Sequence, residues 1–425
     1  MAQQQVAADG GRPLRIALLS YRSKPHCGGQ GVYVRNLSRE LAALGHVVEV
    51  LSGPPYPELD PGLQLTRLPS LDLYREPDPF RTPNWREFTS AVHVLEYLLM
   101  ATAAFPEPLT FSLRAWRHLS SRANRPDIVH DNQTLGYGLL LLQRGGFPVV
   151  ATVHHPITVD RRHDLTAARG IRKQLSTRRW YSFLRMQGRV VRRLPALLTV
   201  SRSSLEDVAR DFRVPRERLT VVPVGVDTDL FAPSGARRVP GRIVATVSAD
   251  QPMKGLVPLL EAIAKLRTER DVELVVVGRP KEGGIAQSAV TRLGLGDCVR
   301  FVSGIPEADI VELFASAQVA VVPSLYEGFS LPAIEALACQ TPLVASTGGA
   351  LPEVVGPDGL AALHVPPGDA EALAAAIAAI LDDPELAARL GAAGRARVLE
   401  RFTWRAVAEQ TVAWYREHLK EEPLC

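Results

Sequence analysis

The sequence predicts an α/β protein built as two doubly wound domains, each a parallel sheet between helices. Three observations carry that prediction. Short β-branched runs alternate with longer amphipathic stretches, the mark of βαβ units. The alternation runs to about residue 222 and then starts again. A chain of 425 residues is also too long for one ordinary core.

In the first half, RIALLS (15–20) reads as a buried strand, GVYVRNLSRELAALG (31–45) as a helix, and HVVEVLS (46–52) as the next strand. Such a unit implies a parallel sheet with right-handed crossovers. DIVHDN (127–132), PVVATVHH (148–155) and ALLTVS (196–201) read as further buried strands. Segment 54–86 is rich in Pro and charge and reads as excursions over the sheet. The second half brings RIVATVSA (242–249), ELVVVG (273–278), VRFVSG (299–304), VAVVPS (319–324) and PLVAST (342–347). The join lies near VVPVGVDTDLFAPSGARRVPGR (221–242). FTWRAVAEQTVAWYREHL (402–419) reads as a long amphipathic helix. The expected division is a disordered tail over 1–12, a first domain over 13–222, a second over 223–402, and a C-terminal helix over 403–425 that crosses back to the first domain. The two domains are expected to face a cleft. Ligands of such sheets bind beyond the carboxyl ends of strands, where helix N-termini point.

Composition narrows the classes. A charged fraction of 22% against 46% hydrophobic is that of a soluble globular protein. The net charge of +4 is small for this length and does not imply whole-chain nucleic-acid binding. The cysteines Cys27, Cys298, Cys339 and Cys425 form no CxxC pair, so neither a zinc site nor a disulfide framework is expected. The N-terminus lacks the apolar run of a secretory signal. No apolar run approaches the roughly 20 residues that span a bilayer.

The chemistry concentrates in SLYEGFSLPAIEAL (324–337), which holds Glu327 and Glu335. Ser330 is a good N-cap for a helix with Pro332 in its first turn. Glu327 then lies in the loop and Glu335 in the helix. The amides of Gly328, Phe329, Ser330 and Leu331 stand at the positive end of that helix, a ready anion site. Carboxylates suit hydroxyl groups, so the pair suits a sugar, a diphosphate and another sugar: a nucleotide sugar. The plain alternative is a Glu335 that complements the helix dipole and a solvated Glu327.

GFSLPAIEALACQTPLVASTGGALPEVV (328–355) resembles the donor-site signature of the retaining glycosyltransferases of family 4 (glycosyl transferases group 1), which have the GT-B fold of two Rossmann-like domains. VVPVGVDTDLF (221–231) resembles their interdomain segment, and SKPHCGGQGVYVRNLSREL (23–41) their glycine-rich loop and first helix. The resemblance implies transfer of a sugar from a nucleotide-diphosphate donor with retention at the anomeric carbon. It implies that Glu327 contacts donor-sugar hydroxyls and that Glu335 contacts the ribose diol. Lys254, in SADQPMKG, would neutralise the diphosphate and assist its departure. Many relatives carry an arginine five residues before that lysine. Here the place holds Ala249, beside Asp250, and Arg279 is the candidate replacement.

Cys27-Gly28-Gly29-Gln30-Gly31 opens the first helix, and Gly29 and Gly31 would let the backbone approach the donor. A dinucleotide site is a poorer reading, because the spacing is not GxGxxG. His154 and His155 follow a strand, and the resemblance places His154 by the donor sugar's C6 hydroxyl. His130 and Asp131 are acceptor-side candidates. Segment 161–193 carries Arg161, Arg162, Arg178, Arg179, Arg185, Arg189, Arg192 and Arg193 among Leu175, Trp180, Phe183 and Leu184. A basic amphipathic stretch can lie on anionic lipid; it can equally be a solvated helix face. Asp227-Thr-Asp229 has the spelling of a metal-binding motif but reads better as part of the interdomain turn.

Together these readings describe a cytoplasmic, metal-independent, retaining hexosyltransferase with no resident cofactor. Its catalytic residues are His154, Lys254 and Glu327, and its acceptor is a lipid, glycan or small molecule. A peripheral contact with the inner face of an anionic membrane is a further expectation. The rival readings are an epimerase or phosphorylase-like enzyme on the same fold, and a non-catalytic sugar-binding homologue.

Overall fold

In a computed structural model, the chain is described over residues 11–23, 29–154, 157–235 and 237–421. Most of the tail, Cys27, Gly28, His155 and Cys425 lie outside those residues. The chain divides into two units. One holds residues up to Val200, Ser204–Val222 and the chain from Val407 onward; the other holds Ser201–Ser203 and Pro223–Ala406.

The first unit contains β1 (Arg15–Ser20), α1 (Gly29–Ala43), β2 (Val47–Ser52), β3 (Gln64–Arg67), α2 (Ala91–Ala101), α3 (Glu107–Ser120), β4 (Ile128–Asn132), α4 (Tyr137–Arg144) and β5 (Val149–Val153). It continues through α5 (Thr158–Ala167), α6 (Ile171–Trp180), α7 (Phe183–Val191), β6 (Leu197–Thr199), α8 (Arg202–Phe212) and β7 (Leu219–Val221). The strands form one sheet in the order β3-β2-β1-β4-β5-β6-β7, with every pair parallel. All five residues of VVATV in β5 are buried, as a strand covered by helices on both faces requires. Leu19, Val129, Val153, Leu139 and Val190 belong to the core.

The second unit contains β8 (Arg242–Thr246), α9 (Leu256–Leu266), β9 (Glu273–Val277), α10 (Ile285–Leu293), β10 (Val299–Val302), α11 (Glu307–Ser316) and β11 (Val319–Val322). Then come α12 (Leu331–Ala338), β12 (Leu343–Ser346), α13 (Leu351–Val355), β13 (Ala362–Val365), α14 (Ala370–Asp382) and α15 (Pro384–Arg401); α16 (Trp404–Glu421) follows and from Val407 onward belongs to the first unit. The second unit's sheet runs β10-β9-β8-β11-β12-β13, again parallel. In this sheet β8 pairs with β9 on one side and β11 on the other, so the strand order reverses between β8 and β11. That reversal leaves a crevice beyond their carboxyl ends, where ligands of such sheets bind.

Three strands have no counterpart in the sequence reading. β3 lies inside the stretch read as an excursion; QLTR has no β-branched run and pairs only with β2. β7 (LTV) and β13 (ALHV) are likewise short edge strands.

The basic segment 161–193 is not one amphipathic helix. It is spread over α5, α6 and α7, with a break at Gly170, whose φ is 85°. Phe183 and Leu184 are buried in the first unit's core, so α7 has no apolar face to offer lipid. Ile171 and Leu175 on α6 remain exposed. No helix among the described residues is long and apolar enough to cross a membrane.

Candidate active site

The crevice of the second unit brings together two of the residues singled out in the sequence. The Lys254 ammonium lies 2.8 Å from Glu327 Oε1. The Ser324 hydroxyl donates to the same oxygen at 2.7 Å. Lys254 follows β8 and Glu327 follows β11, so the pair sits where the strand order reverses.

Local backbone chemistry explains the approach. Gly255 has φ 66°, and a Cβ there would stand 2.0 Å from the Pro323 carbonyl oxygen. Any other residue would push the Lys254 loop away from the end of β11. The Leu325 amide donates to the Met253 carbonyl at 2.8 Å, tying the two loops. Behind them Gly349, with φ 64°, lies where a Cβ would meet the Glu327 carbonyl oxygen at 2.3 Å. The Ser346 hydroxyl donates to the Ser324 carbonyl, and the Ala350 amide to the Glu327 carbonyl at 2.9 Å.

α12 begins as its sequence suggests. Ser330 is the N-cap and its hydroxyl accepts from the Ala333 amide at 3.4 Å. Its φ of 116° is a conformation that side chains rarely adopt. Among the described residues no group accepts from the amides of Phe329, Ser330 or Leu331. Those donors and the helix dipole favour an anion. Glu335 lies one turn further in. Burial pushes its carboxyl up to about 7, and the charge of Glu307 adds to the shift. No side chain among the described residues pairs with it. A carboxylate held without a partner suits a ligand that brings hydroxyls.

Ala249 is buried in the second unit's core. The Asp250 carboxylate accepts from the amides of Lys281 at 2.5 Å and Ala286 at 3.3 Å, and those amides hold it below the usual carboxylate range. Asp250 thereby orders the loop after β9, whose Arg279, Pro280, Lys281 and Glu282 line a cavity of about 580 Å³ together with Gln287 of α10. Lys254 and Glu327 are not among the residues lining it. Asp227 accepts from the amides of Asp229 and Leu230, both at 3.2 Å, and so closes the interdomain turn. Among the described residues no cluster of three or more His, Cys, Asp or Glu could hold a metal ion.

In the first unit, Gly29 and Gly31 stand in the first turn of α1, with Gly31 buried. His154 follows β5, half-buried, with its Nε2 2.6 Å from Asn132 Oδ1. The Gln133 side chain accepts from the His154 amide at 2.6 Å. The Tyr33 ring meets the imidazole edge-on at 4.7 Å.

His130 and Asp131 call for a correction. They are 1% and 0% exposed and offer nothing to an acceptor. The His130 ring spans Tyr415 Oη at 2.5 Å and Thr152 Oγ1 at 2.7 Å, and burial pushes its pKa down to about 3. Asp131 accepts from the Leu135 amide at 2.9 Å. The sequence reading also passed over Asn132, Gln133 and Ser324. The signal for the first two was a run of polar residues, HDNQT, at the carboxyl end of a buried strand.

Comparison with known proteins agrees with this geometry. Residues 27–230 match the family described as Glycosyltransferase Family 4, and residues 228–397 match Glycosyl transferases group 1. The chain is 56% identical over 413 residues to an MMP alpha-(1->4)-mannosyltransferase of Mycolicibacterium hassiacum, covering 97% of this chain and 100% of that protein. It is 30% identical to a D-inositol 3-phosphate glycosyltransferase of Thermobispora bispora, over 98% of this chain and 97% of the relative. Among solved structures, the sucrose-phosphate synthase of Thermosynechococcus elongatus superposes with a TM-score of 0.71 at 26% identity, covering 96% and 99% of the two chains. A glycosyltransferase is thus the class that fold and site define. The chain belongs to glycosyltransferase family 4, and its two parallel-sheet domains are those of the GT-B fold.

Proposed function

We propose that the protein is a retaining α-mannosyltransferase that moves mannose from a nucleoside-diphosphate mannose to the 4-hydroxyl of a mannoside acceptor. The Lys254–Glu327 pair at the strand-order reversal carries this reading. The choice of sugar and linkage is supported by the name of the 56% identical relative. An activated mannose of α configuration that yields an α linkage keeps its anomeric configuration, so the named linkage favours retention.

The amides of Gly328 to Leu331 and the Lys254 ammonium take the diphosphate. Glu327, oriented by Ser324 and Lys254, takes sugar hydroxyls, and Glu335 takes the ribose diol. In the reaction the bond from C1 to the phosphate oxygen breaks, and its electron pair stays on the diphosphate. The acceptor oxygen forms the new bond to C1 on the same face, and its proton passes to the departing phosphate oxygen. Lys254 stabilises the charge that develops there. His154 serves the sugar's C6 hydroxyl. No step calls on a metal ion.

Incubation with GDP-, UDP- and ADP-sugars and a short α-mannoside tests the reading. The expected product is an α-1,4-linked mannoside, read from its anomeric NMR signal. Transfer of another sugar, or a β-linked product, would overturn the corresponding part.

A further inference from the structure

We infer that the aromatic cluster of Phe80, Phe105 and Trp180, beside the Arg22–Glu107 ion pair, is where a glycoside acceptor binds. The inference rests on the reading above, in which the acceptor has no site once His130 and Asp131 turn inward. Arg22 stands two residues beyond the end of β1, and Glu107 is the first residue of α3. The pair therefore lies at the carboxyl edge of the first sheet, the side on which ligands of such sheets bind. One terminal nitrogen of Arg22 is 3.2 Å from each Glu107 oxygen, and the other donates to the Tyr74 carbonyl at 3.5 Å. The Arg22 side chain is still 25% exposed, and a guanidinium carries five N–H donors, so some remain for a ligand. The Tyr74 ring joins this pair to the aromatic groups: it meets Phe80, Phe105 and Trp180 at 5.4, 5.4 and 5.7 Å between ring centres.

Tyr74 is buried and Phe105 and Trp180 are half-buried, but Phe80 is 58% exposed. Its φ is 65°, a left-handed backbone that a bulky side chain rarely adopts. Its amide donates to the Leu73 carbonyl at 2.7 Å, which holds the turn. Burial does not repay this strain, since more than half of the residue faces water. Strain of that kind collects where function needs a side chain in one place. The indole N–H of Trp180, whose ring centre is 6.2 Å from that of Phe80, has no acceptor among the described residues. A pyranose ring presents apolar C–H faces edged by hydroxyls. Aromatic rings suit the faces, and the Trp180 N–H and the Arg22–Glu107 pair suit the hydroxyls, with donors and acceptors side by side. An acyl chain or apolar peptide would leave the ion pair without a use.

The test is steady-state kinetics of Phe80→Ala and Phe80→Tyr in the full-length protein, with acceptor and donor varied separately. Phe80→Ala removes an exposed ring, so the fold should survive. It should raise the KM for a short α-mannoside about 5- to 10-fold, the scale of one aromatic contact, and the donor KM by less than about 2-fold. Phe80→Tyr keeps the ring and should restore the acceptor KM. Saturation-transfer NMR with methyl α-mannoside and saturating nucleoside diphosphate reads binding without turnover. The wild type should give a signal that Phe80→Ala weakens and Phe80→Tyr keeps. An unchanged acceptor KM in Phe80→Ala overturns the inference, as does a donor KM that rises as much as the acceptor's. A wild type that forms the mannoside product yet gives no NMR signal Phe80→Ala can weaken also overturns it, and leaves the proposed function standing. Transfer to a different glycoside, with the same response of its KM to the two variants, would keep the site and end the choice of mannoside.

Discussion

Lys254 and Glu327 form an ion pair of 2.8 Å across the reversal point of the second sheet, and Ser324 donates to the same carboxylate oxygen. The ammonium is therefore aimed before any donor arrives. A cation placed where charge develops stabilises the transition state more than the ground state. Lys254→Ala should lose about 100-fold or more in kcat/KM, chiefly in kcat. EDTA should leave the wild-type rate unchanged. Steady-state kinetics check both. A variant near wild-type speed would move the role to Arg279, and a wild type silenced by EDTA and restored by magnesium would end the metal-free reading.

Glu335 links stability to donor binding. In the folded chain its carboxyl keeps its proton up to about pH 7; unfolded, it releases it near the ordinary 4.5. Folded protein thus binds more protons between those values, and stability falls as pH rises through that window. Glu335→Gln removes the loss. Its Tm should exceed the wild type's at pH 8 and match it at pH 5. The gain should be about 1–2 kcal/mol, because the side chain keeps some contact with water. Affinity for the nucleoside diphosphate should fall about 10-fold, read by calorimetry. A variant neither stabilised at pH 8 nor weakened in binding would return Glu335 to a dipole role.

Ser330 combines an unusual backbone with a capping hydroxyl. Ser330→Ala loses the cap and keeps the strain, so it should cost about 1 kcal/mol. Ser330→Gly loses the cap but frees the backbone, so it should be the more stable of the two. Paired urea denaturations decide, and the reverse order would mean that the φ of 116° carries no strain.

The exposed part of the basic segment gives a fourth test. On α6 only Ile171 and Leu175 remain as apolar groups beside exposed Arg172, Lys173 and Arg178. A lipid contact through this surface rests mainly on charge, at about 1 kcal/mol per cation. The protein should sediment with anionic vesicles at low salt, not with neutral ones, and about 0.5 M salt should release it. Equal partitioning to both vesicle types would rule the contact out.

Much of the fold was legible because fully buried parallel strands write themselves as β-branched runs. RIALLS and VVATV are read almost to the residue. QLTR and ALHV are not, because an edge strand is specified by its neighbour more than by its own side chains. The Glu327 loop was legible through its motif. The contact that aims it was not, since Lys254 reaches Glu327 only when β8 and β11 lie side by side. His130 and Asp131 misled for a related reason. A polar residue near a strand's carboxyl end can face a ligand or turn inward, and only the packing of Tyr415 and Thr152 settles that His130 turns in.

Tyr415 has one more consequence. It lies on α16, and the chain from Val407 onward belongs with the first unit, although all of the second unit's sheet is made before it. During synthesis, N-terminal domains fold as they emerge. This one must wait: until α16 leaves the ribosome, the His130 imidazole lacks its phenol partner. A buried ring nitrogen left unmatched costs about 1–3 kcal/mol. The first half of the protein is thus completed last, and a nascent chain stalled before residue 407 carries an unfinished core.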